Sequence, residues 1–126
     1  MLTTLLSVAL GGALGASARY LTNVGVMRLV GPGFPFGTMV ANVLGSFAMG
    51  VLVVVLARKG GMAYAPFLMT GLLGGYTTFS AFSLDTLTLF ERGETGLAGL
   101  YAGASVGLSL AAIALGLLLT RAVMAP

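Results

Sequence analysis

The chain is expected to be an all-α integral membrane protein with four transmembrane helices, and three observations predict this. Its nine charged residues, six basic and three acidic, divide an otherwise apolar chain into four long uncharged stretches. The first charge is Arg19; 29 uncharged residues separate Arg28 from Arg58, 25 separate Lys59 from Asp85, and 26 separate Glu94 from Arg121. A helix needs roughly 20 mainly apolar residues, at about 1.5 Å each, to cross hydrocarbon, so each stretch can cross once. Finally, 58% of the 126 residues are hydrophobic and 7% are charged, too few charges to cover the surface of a soluble domain of this length.

The elements follow in order. Helix 1 is expected over about residues 2–28. Residues 1–18 end in small side chains, as a signal peptide does. They lack a basic n-region, however, and carry Gly11, Gly12 and Gly15, so they are read as a retained helix. Gly31, Pro32, Gly33 and Pro35 mark a loop. Helix 2 is expected over about 37–57 and is followed by a basic turn at Arg58 and Lys59. Helix 3 is expected over about 64–90, with Pro66 suited to its first turn. A polar turn then leads to helix 4 at about 96–121. Residues 1–126 form one domain without a soluble appendage.

Composition excludes several classes of function. The six basic residues are scattered, and only Arg58 and Lys59 are adjacent, so there is no basic groove for nucleic acid. With no Cys and no His, disulfides, thiolate sites and a structural zinc are not expected. Intramembrane catalysis needs a nucleophile and base or a metal; Asp85 is the one candidate base and nothing pairs with it. The chain is therefore not expected to be an enzyme.

Four spans put both termini on one side, with Arg58, Lys59 and Arg121; the other side holds Arg19, Arg28 and Arg92. Orientation normally follows a Lys/Arg excess on the cytoplasmic face, and a count of three against three supplies none. Either another cue breaks the tie, or the chain inserts both ways and pairs as an antiparallel dimer. A four-helix bundle fills its own centre, so a solute path is expected to need a second copy, and the closed two-fold dimer is the commonest assembly.

Polar residues interrupt the apolar helices in register. On helix 2, Thr38, Asn42, Ser46 and Gly50 recur every four residues and share a face. An amide in hydrocarbon must find partners, so the stripe is either glue between helices or the lining of a solute path. On helix 4, Tyr101, Ser105 and Ser109 repeat the device, offering O–H donors without fixed charge. In helix 3, Gly71, Gly74, Gly75, Thr77 and Thr78 are poor helix formers. They read either as a Gly-x-x-x-Gly packing surface or as a break. A break frees backbone carbonyls, and oxygen-only coordination suits a hard cation such as Na⁺. Phe79 and Phe82, three apart, face the same way; they are ordinary core residues or, through their positive ring edges, contacts for a small anion beside the Ser and Thr hydroxyls. Arg19 either snorkels to the interface or draws anions into a vestibule.

These residues resemble one family, the small four-helix fluoride channels called Fluc or CrcB proteins. Gly11-Gly12-Ala13-Leu14-Gly15-Ala16-Ser17-Ala18-Arg19-Tyr20 is similar to the family's first-helix signature, and Gly37-Thr38-Met39-Val40-Ala41-Asn42-Val43-Leu44-Gly45-Ser46-Phe47 to the second. Gly71-Leu72-Leu73-Gly74-Gly75-Tyr76-Thr77-Thr78-Phe79-Ser80 resembles the third and is the most specific. The resemblance implies a dual-topology homodimer with a broken third helix and two antiparallel fluoride pores in a bacterial or archaeal cytoplasmic (inner) membrane. By position it implies Asn42, Phe79, Phe82, Tyr101, Ser105 and Ser109, with Thr38 and Ser83, as pore residues. It implies Arg19 and Asp85 as vestibule residues. It implies the Gly74 and Thr77 backbone carbonyls as ligands of a structural Na⁺ at the dimer centre. One departure is visible: Ala81 stands between the two phenylalanines where the family often has Thr or Ser.

The implied function is passive export of fluoride. A pore must replace the ion's water with donors at close range, yet bind weakly enough to release it. Uncharged Asn, Ser, Thr and Tyr groups with Phe edges fit that compromise. An inside-negative potential drives anions outward at about 2.3 kcal/mol per charge per 100 mV. The rival from another class is a small proton-coupled multidrug exporter, which needs a membrane-embedded carboxylate to titrate; Asp85 is its one candidate. A non-transporting scaffold subunit is the other rival, and it would have no use for polar stripes.

Overall fold

In the computed structural model, which describes residues 1–125, the chain is all-helical. Helix α1 spans Leu2–Val30, α2 Phe36–Arg58, α3 Gly74–Tyr76, α4 Phe79–Glu91 and α5 Thr95–Val123. A 3₁₀ turn at Met62–Tyr64 and a π-helix at Pro66–Leu73 lead into α3. Helices α1, α2 and α5, with 29, 23 and 29 residues, are long and apolar enough to cross a membrane. At 1.5 Å per residue they measure about 44, 35 and 44 Å, against hydrocarbon of about 30 Å.

Helix α1 ends where Gly31 takes φ 77°, a left-handed conformation that costs an L side chain energy, and the Gly31 N–H closes onto Met27 O. The third stretch, expected over 64–90 with a break in it, divides into several pieces. Pro66 opens a π-helix whose wider turn runs to Leu73, and helical geometry stops after Tyr76. Thr77 and Thr78 are extended, at φ −85°, ψ 155° and φ −152°, ψ 121°, before α4 begins at Phe79. With 13 residues, α4 reaches about 20 Å and does not cross hydrocarbon alone.

The packing inverts that of a soluble protein. The buried residues of α1 are Gly11 and Gly15, while Leu2, Leu5, Leu6, Leu10 and Leu14 lie exposed. With lipid as solvent, burying leucine gains nothing and close approach of backbones does. Helix α1 lies against the π-helix and α3 through glycines on both sides. A Cβ on Gly71 would stand 2.9 Å from Val8 O, and one on Gly75 2.7 Å from Gly12 O. Gly50 on α2 and Gly116 on α5 meet in the same way, against Ile113 O and Phe47 O. Where α4 meets α5, Leu89, Ala98 and Tyr101 form a small apolar core with Phe34, Met39 and Phe82 around it.

Candidate functional site

A groove of about 360 Å³ opens between α2, the Thr77–Thr78 segment, α4 and α5. Asn42 and Ser46 line it from α2, Phe79 and Phe82 from α4, and Ser105 and Ser109 from α5; Thr77 and Thr78 close it. The four-residue spacing that puts Asn42 and Ser46 on one face, and Ser105 and Ser109 on another, aims both pairs into it.

Asn42 meets the interruption directly. Its Nδ2 donates to Thr78 O at 3.1 Å, and its Oδ1 accepts from Thr78 N at 2.7 Å. Only the amide oxygen can accept a backbone N–H, so the pair fixes the orientation of the side chain. Thr78 also caps α4, its Oγ1 accepting from Ala81 N at 3.1 Å. In an unbroken helix the Thr78 N–H would reach Gly74 O and the Ala81 N–H would reach Thr77 O. Both donors are used elsewhere, so the two carbonyls lose their helical partners.

Arg19 lies inside α1, eleven residues short of the helix end, and its Nε donates to Gly75 O at 3.3 Å. The guanidinium thus caps a carbonyl at the end of α3, at the level of the break. Tyr76 is tied to α1 as well, its hydroxyl 2.8 Å from Thr22 Oγ1.

The aromatic residues form a chain of contacts. Phe79 and Phe82 are tilted, with centroids 5.4 Å apart; Phe82 and Tyr101 are 5.6 Å apart; Phe34 meets Tyr101 edge-on at 5.4 Å. Phe79 is 77% exposed on the single chain, whereas Tyr101 is fully buried and donates its O–H to Asp85 Oδ2 at 2.9 Å. Ser105 is 4% exposed, and its Oγ has no hydrogen-bond partner within the described residues.

Some sequence-derived residues fall outside the groove. Thr38 and Asp85 line a second cavity of about 300 Å³, with Asn23 and the 31–37 loop. Tyr101 stands between the groove and that cavity, through Ser105 and Phe82 on one side and Asp85 on the other. Ser83 is exposed on an outer face, in a shallow groove with Thr86, Phe90 and Gly99. Gly74 is exposed behind Thr77 and not among the groove residues. Sequence reading passed over Thr22 and Phe34, and gave Thr78 no role beyond permitting the break. Thr78 carried a usable signal, as a Thr immediately before an apolar helical run is an N-cap pattern. Among the described residues, no group of three or more His, Cys, Asp or Glu could hold a metal ion.

Three membrane-length helices, two of which line an uncharged groove carrying amide and hydroxyl groups, define a membrane protein built to pass or hold a small solute. A family model described as CrcB-like protein, Camphor Resistance (CrcB), matches residues 6–117. The chain belongs to the CrcB family. Relatives named fluoride-specific ion channel FluC are similar over nearly their full length. That of Cereibacter sphaeroides is 70% identical, over 99% of this chain and 100% of the relative. That of a Ruegeria species is 60% identical, over 98% and 99%. That of Paracoccus denitrificans is 57% identical, over 97% and 98%.

Proposed function

We propose that this chain is a fluoride-specific ion channel that lets cytoplasmic F⁻ leave passively, and that it is not an enzyme. The observation that carries the reading is the groove itself, where the Asn42 amide, the buried unpartnered Ser105 hydroxyl and the Phe79–Phe82 pair converge without a fixed charge. Asn42 keeps a second Nδ2 hydrogen beyond the one given to Thr78. Ser105 has a full O–H to give. Such donors can replace the water of a small anion, and neither holds it as an ammonium would. Names and lengths of the relatives support the same reading.

The working unit is an antiparallel homodimer with two pores, the π-helix, α3 and α4 together making the third, broken crossing. Phe79, 77% exposed on one chain, is covered by the second copy in this reading. The flanking charges are nearly balanced. Arg58, whose Nη1 donates to Met124 O, lies with Lys59 and Arg121 at one end; Arg28 and Arg92 lie at the other, with Arg19 inside α1. So weak a bias suits insertion in both directions. The membrane is the bacterial or archaeal cytoplasmic (inner) membrane.

A structural Na⁺ belongs to the same reading. The Gly74 and Thr77 carbonyls, deprived of their helical donors, are hard oxygen ligands of the right kind, and two copies would present four. Such an ion supplies a fixed positive charge where the two interrupted segments meet. Asp85 acts at the mouth beside the second cavity, and Arg19, expected in a vestibule, places its charge deeper, at the level of the break. Tyr101 and Thr38 extend the polar path from the groove to the second cavity, and Ser83, on the outer face, joins it only where a second copy packs there.

Efflux tests the proposal. The purified protein in liposomes loaded with fluoride should release it, as read by a fluoride-selective electrode. Release no faster than from empty vesicles would overturn it.

A further inference from the structure

We infer that Thr78, with Asn42, is the positioning residue that writes the interruption and thereby exposes the Gly74 and Thr77 carbonyls. The inference rests on the cation reading above for its functional consequence but on geometry for its content. A run of helix formers and glycines does not by itself stop at one place; something must outbid the next i→i−4 hydrogen bond. Here two side-chain atoms do so. Asn42 Oδ1 holds the Thr78 N–H at 2.7 Å, which would otherwise close onto Gly74 O. Thr78 Oγ1 holds the Ala81 N–H at 3.1 Å, which would otherwise close onto Thr77 O. Each diverted donor releases one carbonyl, and the two released are separated by the three-residue step that the break spans.

The neighbouring contacts lock the arrangement. Asn42 Nδ2 returns a hydrogen bond to Thr78 O, so that the residue is gripped at both its N–H and its C=O, on the two peptide planes that flank its Cα. Thr77 closes the last helical turn, its N–H and its Oγ1 both donating to Leu73 O at 2.9 Å each, so the interruption starts directly after it. Gly45 leaves room on α2 for Thr77 Cγ2, which a larger residue would displace. Thr78 is therefore not one more pore hydroxyl. It acts through the backbone, and its natural readout is the cation requirement rather than the rate at which fluoride passes.

The test uses the full-length dimer in liposomes with external NaCl replaced stepwise by N-methylglucamine chloride. Thr78→Val keeps the shape and β-branching of threonine but removes the acceptor; Thr78→Ser keeps the acceptor. We expect Thr78→Val to raise the Na⁺ concentration for half-maximal efflux by about tenfold or more, the scale on which losing a group that orients a metal ligand weakens a site. Thr78→Ser should stay within about twofold of the natural protein. Ser109→Ala, in contrast, should slow efflux while leaving the Na⁺ dependence where it was. A crystal structure of Thr78→Val, or of Thr78→Ala should the valine variant fail to fold, should show the Ala81 N–H turned onto Thr77 O. An unchanged interruption in that structure sinks the positioning role, as does an unaltered Na⁺ dependence in a natural protein that has one. A natural protein indifferent to Na⁺ sinks the cation reading alone, and the structure of the variant still decides the role of Thr78.

Discussion

Two regions of this molecule use the same kinds of residue for opposite ends. On one side, α1 meets the π-helix and α3 through Gly11, Gly15, Gly71 and Gly75, and added Cβ atoms would strike backbone. On the other, α2, α4 and α5 surround a groove lined in part by Ser105, whose buried hydroxyl has no partner among the described residues, and beside which Phe79 stands 77% exposed. The first is a filled contact within the chain; the second leaves open space. Small and polar residues in a membrane helix are therefore ambiguous by type, and what separates packing from passage is whether the space they leave is filled.

The largest effect should come from filling the closed side. In Gly15→Val the added side chain would run into Leu72 O and stand 2.8 Å from Tyr76 N at its first carbon alone. Overpacking costs about 1–3 kcal/mol where side chains can yield, and backbone yields less. We expect loss of the monodisperse species in detergent and with it all transport, as measured by size-exclusion chromatography and efflux. Gly99→Ala, whose Cβ meets nothing within 4 Å, should leave the melting temperature of the detergent-solubilised protein near that of the natural chain. Equal tolerance at the two positions would break the comparison.

Next comes the residue that joins the two regions. Asn42→Leu removes both hydrogen bonds to Thr78 and leaves a backbone N–H without its partner. An unsatisfied group costs about 1–3 kcal/mol. A barrier raised by about 2–3 kcal/mol would slow efflux about 100-fold. The lost bonds destabilise the chain whatever its role, so it is efflux per folded protein that tests the pore, and undiminished efflux would count against any pore through this groove.

Much of this was legible in sequence, and the division between what was and was not has a physical cause. Spans could be read because charge is expensive in hydrocarbon, so Arg28, Arg58 and Glu94 had to mark ends. The Asn42–Ser46 and Ser105–Ser109 stripes could be read because helical periodicity fixes which residues share a face. The partners of Asn42 and Arg19 could not be read. Both bond to backbone, at Thr78 and Gly75, and every residue carries the same backbone groups. The π-helix at Pro66–Leu73 was hidden for a similar reason, as its residues are those of an ordinary apolar helix. The charge of Arg19 suggests an interface or a vestibule, and the carbonyl it caps explains how a guanidinium is accommodated eleven residues before the helix end.

Ser105→Ala sharpens the comparison by separating stability from transport. Because Ser105 Oγ is buried without a partner, replacing it with an apolar group should not lower the melting temperature and can raise it. Fluoride efflux should nevertheless fall by about tenfold, the loss of one hydrogen-bond donor of about 1–1.5 kcal/mol at the ion. A drop in stability without a change in efflux would assign Ser105 to packing, and the groove would lose one of its two principal donors.

The smallest effect is expected at Asp85, and there the sign matters more than the size. In Asp85→Asn the side-chain oxygen can still accept from the Tyr101 hydroxyl, which now reaches Asp85 Oδ2 at 2.9 Å, so the aromatic chain through Phe82 and Phe34 should stay in place. What disappears is a negative charge beside the cavity that Thr38 also lines. At about 4 Å in water a unit charge repels an anion by about 1 kcal/mol, and salt screens it over about 8 Å at physiological ionic strength. Fluoride efflux should therefore hold steady or rise by up to about fivefold, more at low ionic strength than at high. A proton-coupled exporter would behave in the opposite way, since Asp85 is the only carboxylate it could titrate within the third stretch, and Asn would stop it. Efflux from Asp85→Asn vesicles at two salt concentrations thus separates a pore from a carrier with one substitution that leaves the fold alone.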